Sequence, residues 1–285
     1  MILRTQKEED TSMEKDQLTS DDIRQISYTD FVGLINQWNV LPGSHTTLSR
    51  WRVFSQLDKS SRLLEIACTT GFSSRELALQ SGCSGIGIDI SEKSVEAANH
   101  NREIYAPHVD VAYHVADAYG YRSEKKFTHI VLGSALGFFP DPRKMLEHCT
   151  ELLEDGGYVL ASPFYTTSNI PTELIDRARK VFDITPTTNS YKEVMKDYKG
   201  FEIIYENRDV LVRETEEELA HYCESTVDRA VAVLGIADPG IKKCIYDRLY
   251  EIKKMSNDLR PYQRYSVLVL RYRSAVYPNR YVELF

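Results

Sequence analysis

Residues 62–89, RLLEIACTTGFSSRELALQSGCSGIGID, constrain the fold more than any other stretch of the chain. Residues 62–67 form an apolar run of strand length, and Cys68, Thr69, Thr70 and Gly71 form a turn of small residues. Ser73 with Glu76 three residues on has the spacing of a capping box, residues 74–80 continue a helix, and Gly82 ends it. Residues 85–90 are a second strand with Asp89 near its carboxyl end. A strand, a helix and a strand in this order require a crossover, which makes the two strands parallel. Parallel sheets bind ligands beyond the carboxyl ends of their strands, where Gly71 and Asp89 both fall.

A dinucleotide loop needs glycine where its backbone approaches a pyrophosphate. Here the line reads Glu65-x-Ala67-x-Thr69-x-Gly71, with side chains at two of the expected glycines. A ligand without a pyrophosphate tolerates that better, while an acid about twenty residues on still suits a ribose diol. A ribose ligand lacking a pyrophosphate points to S-adenosylmethionine. The plain alternative is a β-α-β unit with no ligand.

The segment resembles motif I (E/D-x-G-x-G-x-G) and the acidic strand end of class I S-adenosylmethionine-dependent methyltransferases of the small-molecule type. Ala67 and Thr69 depart from the glycines of that pattern. The likeness runs over residues 62–161. It includes a buried strand at 127–133, a helix opened by Pro140, Asp141 and Pro142, then Gly156-Gly157 and a strand at 158–162. It implies an α/β fold: a doubly wound, seven-stranded, mostly parallel sheet with an N-terminal helical cap and a helical insertion before the last strand. It implies cofactor binding by Glu65, Ala67, Cys68, Thr69, Gly71, Asp89, Ile90, Asp117, Ala118 and Ser134. In that family an acid at the position of Asp117 receives the adenine amine; a turn or helix-cap aspartate is the other reading.

The rest of the chain arranges itself around this core. Residues 1–22 read as a flexible tail or a frayed helix, and 23–58 as the cap. The core takes 59–165, 200–212 and 262–273, and 166–199 with 213–261 form a helical lid or substrate region. In the cap, Ile26, Phe31, Leu34, Ile35 and Trp38 recur at helical spacing before Leu41-Pro42-Gly43, and a second helix carries Leu48, Trp51, Phe54 and Leu57.

A net charge of −7 disfavours a large nucleic-acid face. No apolar run reaches membrane-span length, and the start is polar and acidic after Arg4, without a signal-peptide pattern. Five scattered cysteines without a C-x-x-C pair suit reduced thiols in a cytoplasm. The expected partner is a small-molecule substrate, with neither nucleic acid nor membrane, and a homo-oligomer fits a soluble acidic chain of this size.

Methyl transfer from a sulfonium is an in-line displacement, for which alignment and exclusion of water supply much of the catalysis. Candidate bases are His45, His221 and Tyr222; candidate substrate contacts are Tyr28, Gln37, Trp38, Tyr165 and Glu224. Arg229 and Arg260 are candidates for a substrate carboxylate. The tetrad after the fourth strand, Gly133-Ser134-Ala135-Leu136, lacks the Asn/Asp-Pro-Pro-Tyr/Phe of amide- and base-directed N-methyltransferases and the metal-binding acid of catechol-type enzymes, so magnesium is disfavoured. The leading reading is methyl transfer to a metabolite, in secondary metabolism, at oxygen or nitrogen with carbon as a third option. A non-catalytic adenosyl-ligand-binding protein and an NAD(P)-dependent oxidoreductase are the alternatives.

Overall fold

The structure is a computed structural model and describes residues 18–279. Its N-terminal part holds three short helices, α1 (Ser20–Gln25), α2 (Tyr28–Leu34) and α3 (Ser44–Phe54), where the periodicity predicts two. Ser27 caps α2 by accepting from Asp30 N, which separates it from α1. Asn36, at φ 48°, then turns the chain away before Trp38. Residues 1–17 of the expected tail lie outside the described residues. Residues 20–22 open α1, the helix reading of that stretch, and its Ile23 is fully buried.

The expected β-α-β unit follows as β1 (Arg62–Ile66), α4 (Phe72–Ser81) and β2 (Ser84–Asp89). Then come α5 (Glu92–Tyr105), β3 (Val111–Val115), β4 (Phe127–Gly133), a single 3-10 turn (Ala135–Phe138), α6 (Pro142–Leu152) and β5 (Leu153–Ala161). Next are β6 (Phe164–Thr166), α7 (Thr172–Phe182), α8 (Tyr191–Val194) and β7 (Glu202–Val210). The insertion is two helices, α9 (Glu216–Leu234) and α10 (Pro239–Leu259), and β8 (Gln263–Arg271) closes the chain. The capping box expected at Ser73 does not form. The N-cap of α4 is Gly71, two residues earlier, and it makes no side-chain cap bond.

Strands β3, β2, β1, β4 and β5 run parallel in that spatial order, and β8 joins β5 antiparallel. β7 covers the other edge of β8, with a one-residue slip between Ile203 and Tyr205. Eight strands occupy the seven expected places, because β6 continues β5 along β8 in unbroken register (Ala161 opposite Leu268, Phe164 opposite Tyr265). Pro163 interrupts the pair because it has no N–H to donate. Strand order reverses between β1 and β4, so the cleft where ligands bind opens at the carboxyl end of β1.

Successive side chains of a strand point to opposite faces, and both faces are covered. Leu64, Ile66, Ile130, Leu132 and Val159 pack with Met145, Leu146 and Cys149 of α6. Leu63, Val131, Leu160, Val267 and Val269 pack with Leu48, Trp51, Leu77 and Ala98. A third cluster lies off the sheet, where Ile23, Phe31 and Ile35 meet Val227, Leu249 and Ile252. The N-terminal helices and the insertion therefore share one apolar core, although almost 200 residues separate Ile35 from Val227.

His129, in the middle of β4, is buried and stacks on Tyr158 with ring centroids 5.3 Å apart. One ring nitrogen sits 3.1 Å from Ser55 O and the other 2.8 Å from Thr128 Oγ1. Burial pushes its pKa down from 6.5 to about 4, so the fold holds it neutral. A folded pKa below the unfolded one gives stability that is full above pH 6.5 and is lost as pH falls toward 4. The loss from this group has an upper bound of roughly 3 kcal/mol. Unfolding free energies of wild type and His129→Gln between pH 7 and 4 should converge as pH falls; parallel curves would show that His129 already titrates normally in the fold.

Candidate functional site

The turn between β1 and α4 passes repeatedly through the left-handed region: Ala67 has φ 55°, Thr69 φ 47° and Gly71 φ 75°. Glycine adopts this region freely, and other residues at a cost of about 1–2 kcal/mol each. The turn is therefore held by its surroundings. Asp89, at the end of β2, accepts from Thr69 N and from Ser91 N, both at 2.9 Å. Glu65, at the end of β1, accepts from Ser74 N at 3.0 Å in the first turn of α4. A strand carboxylate thus satisfies one of the free first-turn amides of α4, at a helix end that favours negative charge. Burial pushes both carboxyls above their usual range. For Glu65, Ser74, Ser73 and the buried Arg75 pull the other way.

Tyr113 of β3 supports the loop from below. Its hydroxyl donates to Gly71 O at 3.0 Å and lies 3.1 Å from Ser74 Oγ. A Cβ at Gly71 would come within 2.6 Å of this tyrosine, and one at Gly87 within 2.5 Å. Gly71 is thus required first by its φ and by the ring beneath it. The sequence reading missed Tyr113; the signal available was Gly87, a glycine inside a strand, which marks a close approach. Cys68 packs its side chain into the core, where burial holds the thiol well above its usual range, so only its main chain is available to a ligand.

The other proposed cofactor residues lie at the neighbouring strand ends. Ile90 follows Asp89 and is 73% exposed, an isolated apolar side chain at the rim of the cleft. Beyond β3, Asp117 is exposed and accepts from Tyr119 N at 3.0 Å, and Ala118 is buried. Ser134 follows β4 and precedes the 3-10 turn with no cap bond from its side chain.

The substrate candidates divide. Gln37 lies at the loop: its carbonyl accepts from Thr70 Oγ1 at 2.8 Å, and its own Oε1 is buried without a hydrogen-bond partner among the described residues. Trp38 is occupied, with the fully buried Arg75 guanidinium 4.3 Å over its ring and Tyr105 edge-on. His45, on α3, is exposed and meets the Phe72 ring edge-on at 5.3 Å, one residue beyond Gly71. Tyr165 is buried in β6 against Tyr191. Tyr28 and Tyr222 belong to the cluster shared by the N-terminal helices and the insertion. Burial raises both phenols, Tyr28 to about 12. His221 and Glu224 are exposed on α9. The two arginines considered for a substrate carboxylate have protein partners. Arg229 donates to Asn36 O at 2.7 Å, and Arg260 pairs with Glu214 at 2.9 Å.

Residues 63–157 match the methyltransferase domain family. Curated relatives include a ubiquinone biosynthesis O-methyltransferase of Leptothrix cholodnii, 26% identical over 35% of this chain and 43% of that protein. Another, from Aromatoleum aromaticum, is 24% identical over 69% of this chain and 73% of that protein. The match spans only about half the length of the first relatives, 43% and 57%. Among solved structures, the MccD protein superposes with TM-score 0.67 at 26% identity, covering 82% of this chain and all of that one. A methyltransferase from Geobacter sulfurreducens, solved in complex with S-adenosyl-L-homocysteine, superposes at 0.64 and 18% identity over 86% of this chain and 98% of that one, a likeness of fold.

The loop geometry makes opposite predictions for two neighbours. Thr69→Gly relieves a left-handed β-branched residue at the cost of a looser unfolded chain, so it should be neutral to about 1 kcal/mol stabilising. Gly71→Val adds backbone strain and a clash with Tyr113, and should destabilise by about 2–4 kcal/mol. Denaturant unfolding of both variants measures this; equal effects would mean that the loop is not held as described.

Proposed function

We propose that this chain, which belongs to the class I S-adenosylmethionine-dependent methyltransferases, binds S-adenosylmethionine over the 67–71 loop and methylates an oxygen of a small-molecule metabolite. The observation that supports it most is the loop backbone. At 67, 69 and 71, each place where the family pattern has glycine, the chain takes the left-handed conformation that glycine favours, although two of the residues are not glycine.

The residues present fit the group. Asp89 can accept from ribose hydroxyls with lone pairs its two amide bonds leave free, and Ile90 and Ala118 can offer apolar walls for adenine. Asp117 can accept the adenine amine, and the unpartnered Gln37 Oε1 can accept from the ammonium of the amino-acid end. When bound, the sulfonium supplies an electrophilic methyl group. What remains for the protein is to align the acceptor, exclude water and take up a proton. The shared core of the N-terminal helices and the insertion suits them to enclose the acceptor together as a lid.

The curated relatives carry O-methyltransferase names, which favours an oxygen acceptor here. A hydroxyl must lose its proton, and His45 is the base best placed for it, being packed against Phe72 beside the loop. Tyr222 and Tyr28 are poor bases, since burial keeps their phenols protonated at neutral pH; they suit donation of a hydrogen bond to the acceptor.

Asp89→Ala should weaken S-adenosylhomocysteine binding by about 1–3 kcal/mol in calorimetry, because the ribose donors lose their acceptor. Unchanged affinity would remove Asp89 from the site. His45→Gln should lower kcat by at least about 100-fold while cofactor affinity holds. A kcat near wild type would move the base elsewhere. Turnover on phenols and alcohols beside amines tests the atom: N-methylated product alone would contradict the oxygen reading.

A further inference from the structure

We infer that Arg229 of the insertion is a positioning residue for the cofactor loop, acting through a continuous hydrogen-bonded chain formed by Arg229, Asn36, Asn101 and the Thr70 carbonyl. The inference rests on the proposed cofactor site and adds a coupling between that site and the insertion.

Each link of the chain is short. Arg229 Nη2 donates to Asn36 O at 2.7 Å. The side chains of Asn36 and Asn101 pair reciprocally, each amide donating to the other's oxygen at 2.8 Å. Asn101 Nδ2 also donates to Thr70 O at 3.1 Å, between the left-handed residues Thr69 and Gly71. A second tie runs alongside, from Thr70 Oγ1 to the carbonyl of Gln37 at 2.8 Å.

The placement of these groups argues for a function beyond packing. Asn101 and Thr70 are fully buried; Thr70 O also accepts from Arg75 Nη1 at 3.3 Å, but Asn101 Oδ1 accepts from the Asn36 amide, and losing that donor leaves it an acceptor that water cannot reach. Asn36 adopts φ 48°, a conformation that asparagine tolerates and that turns its carbonyl to α9 while its side chain meets α5. The chain thus begins on an insertion helix, crosses the segment after α2 and ends at the strained turn. The N-terminal helices and α9 already share an apolar core, so a shift of α9 would be felt at Asn36. Ordering of the cofactor loop and seating of the insertion become one equilibrium, in which each favours the other.

The experiment uses the full chain and calorimetry with S-adenosylhomocysteine on a mutant cycle. Arg229→Met keeps the aliphatic stem and removes the donor. Asn36→Gly keeps the left-handed backbone and the carbonyl that Arg229 reaches, and removes only the side-chain link to Asn101. Arg229→Met should raise Kd about tenfold without loss of helical signal, Asn36→Gly should do the same, and the double variant should stay within about threefold of either single one. Arg229→Lys should recover part of the affinity. Wild-type affinity in Arg229→Met, or single effects that multiply in the double variant, overturns the chain. Hydrogen exchange of the amides at 69–72, measured without ligand, should quicken in Arg229→Met; unaltered exchange overturns it as well. If wild type binds no S-adenosylhomocysteine, the cofactor reading fails, and the exchange measurement alone decides the link.

Discussion

A five-residue turn that must pass repeatedly through the left-handed region, twice without glycine, is the constraint on which the rest of the site depends. Left alone, such a turn would relax, since the strain at Ala67 and Thr69 is comparable to the net worth of the hydrogen bonds available locally. What holds it is convergence from several elements. β2 supplies Asp89, β1 supplies Glu65, β3 supplies Tyr113 and α5 supplies Asn101. The carboxylates remain buried because backbone amides are fixed in front of them, and the amides are fixed because the sheet order brings β1, β2 and β3 side by side. Strain of this kind persists at sites where the surroundings over-determine the backbone.

Much of the fold was legible because its signals are local. Gly82 closes α4 in the left-handed conformation that a C-terminal glycine announces, and the β-α-β order fixes parallel pairing. Errors arose where a local signal lost to a distant partner. Ser73 has the residue type of a helix cap, but the helix starts two residues earlier at Gly71, and Glu65 accepts from the Ser74 amide of that first turn. The periodicity through Trp38 reads as one helix. The chain breaks at Asn36 because that residue has partners on α5 and α9, which no window of neighbouring residues reveals.

The same distinction governs the candidate site. Glu65, Asp89 and Gly71 stand out in the sequence because a spacing rule places them at strand ends. Trp38, chosen as an aromatic beside amides, is covered by Arg75, and Arg229 is turned to a main-chain carbonyl. Tyr113 carries no spacing signal of its own. Its part depends on glycines at 71 and 87 leaving room for the ring, a relation that only the packing shows.

The central claim is that this loop and its acid bind an adenosyl ligand without a pyrophosphate. Calorimetry of the full wild-type chain with S-adenosylhomocysteine and, separately, with NAD tests it most directly. The account predicts saturable one-to-one binding of S-adenosylhomocysteine and none of NAD; binding of NAD, or of neither ligand, would contradict it.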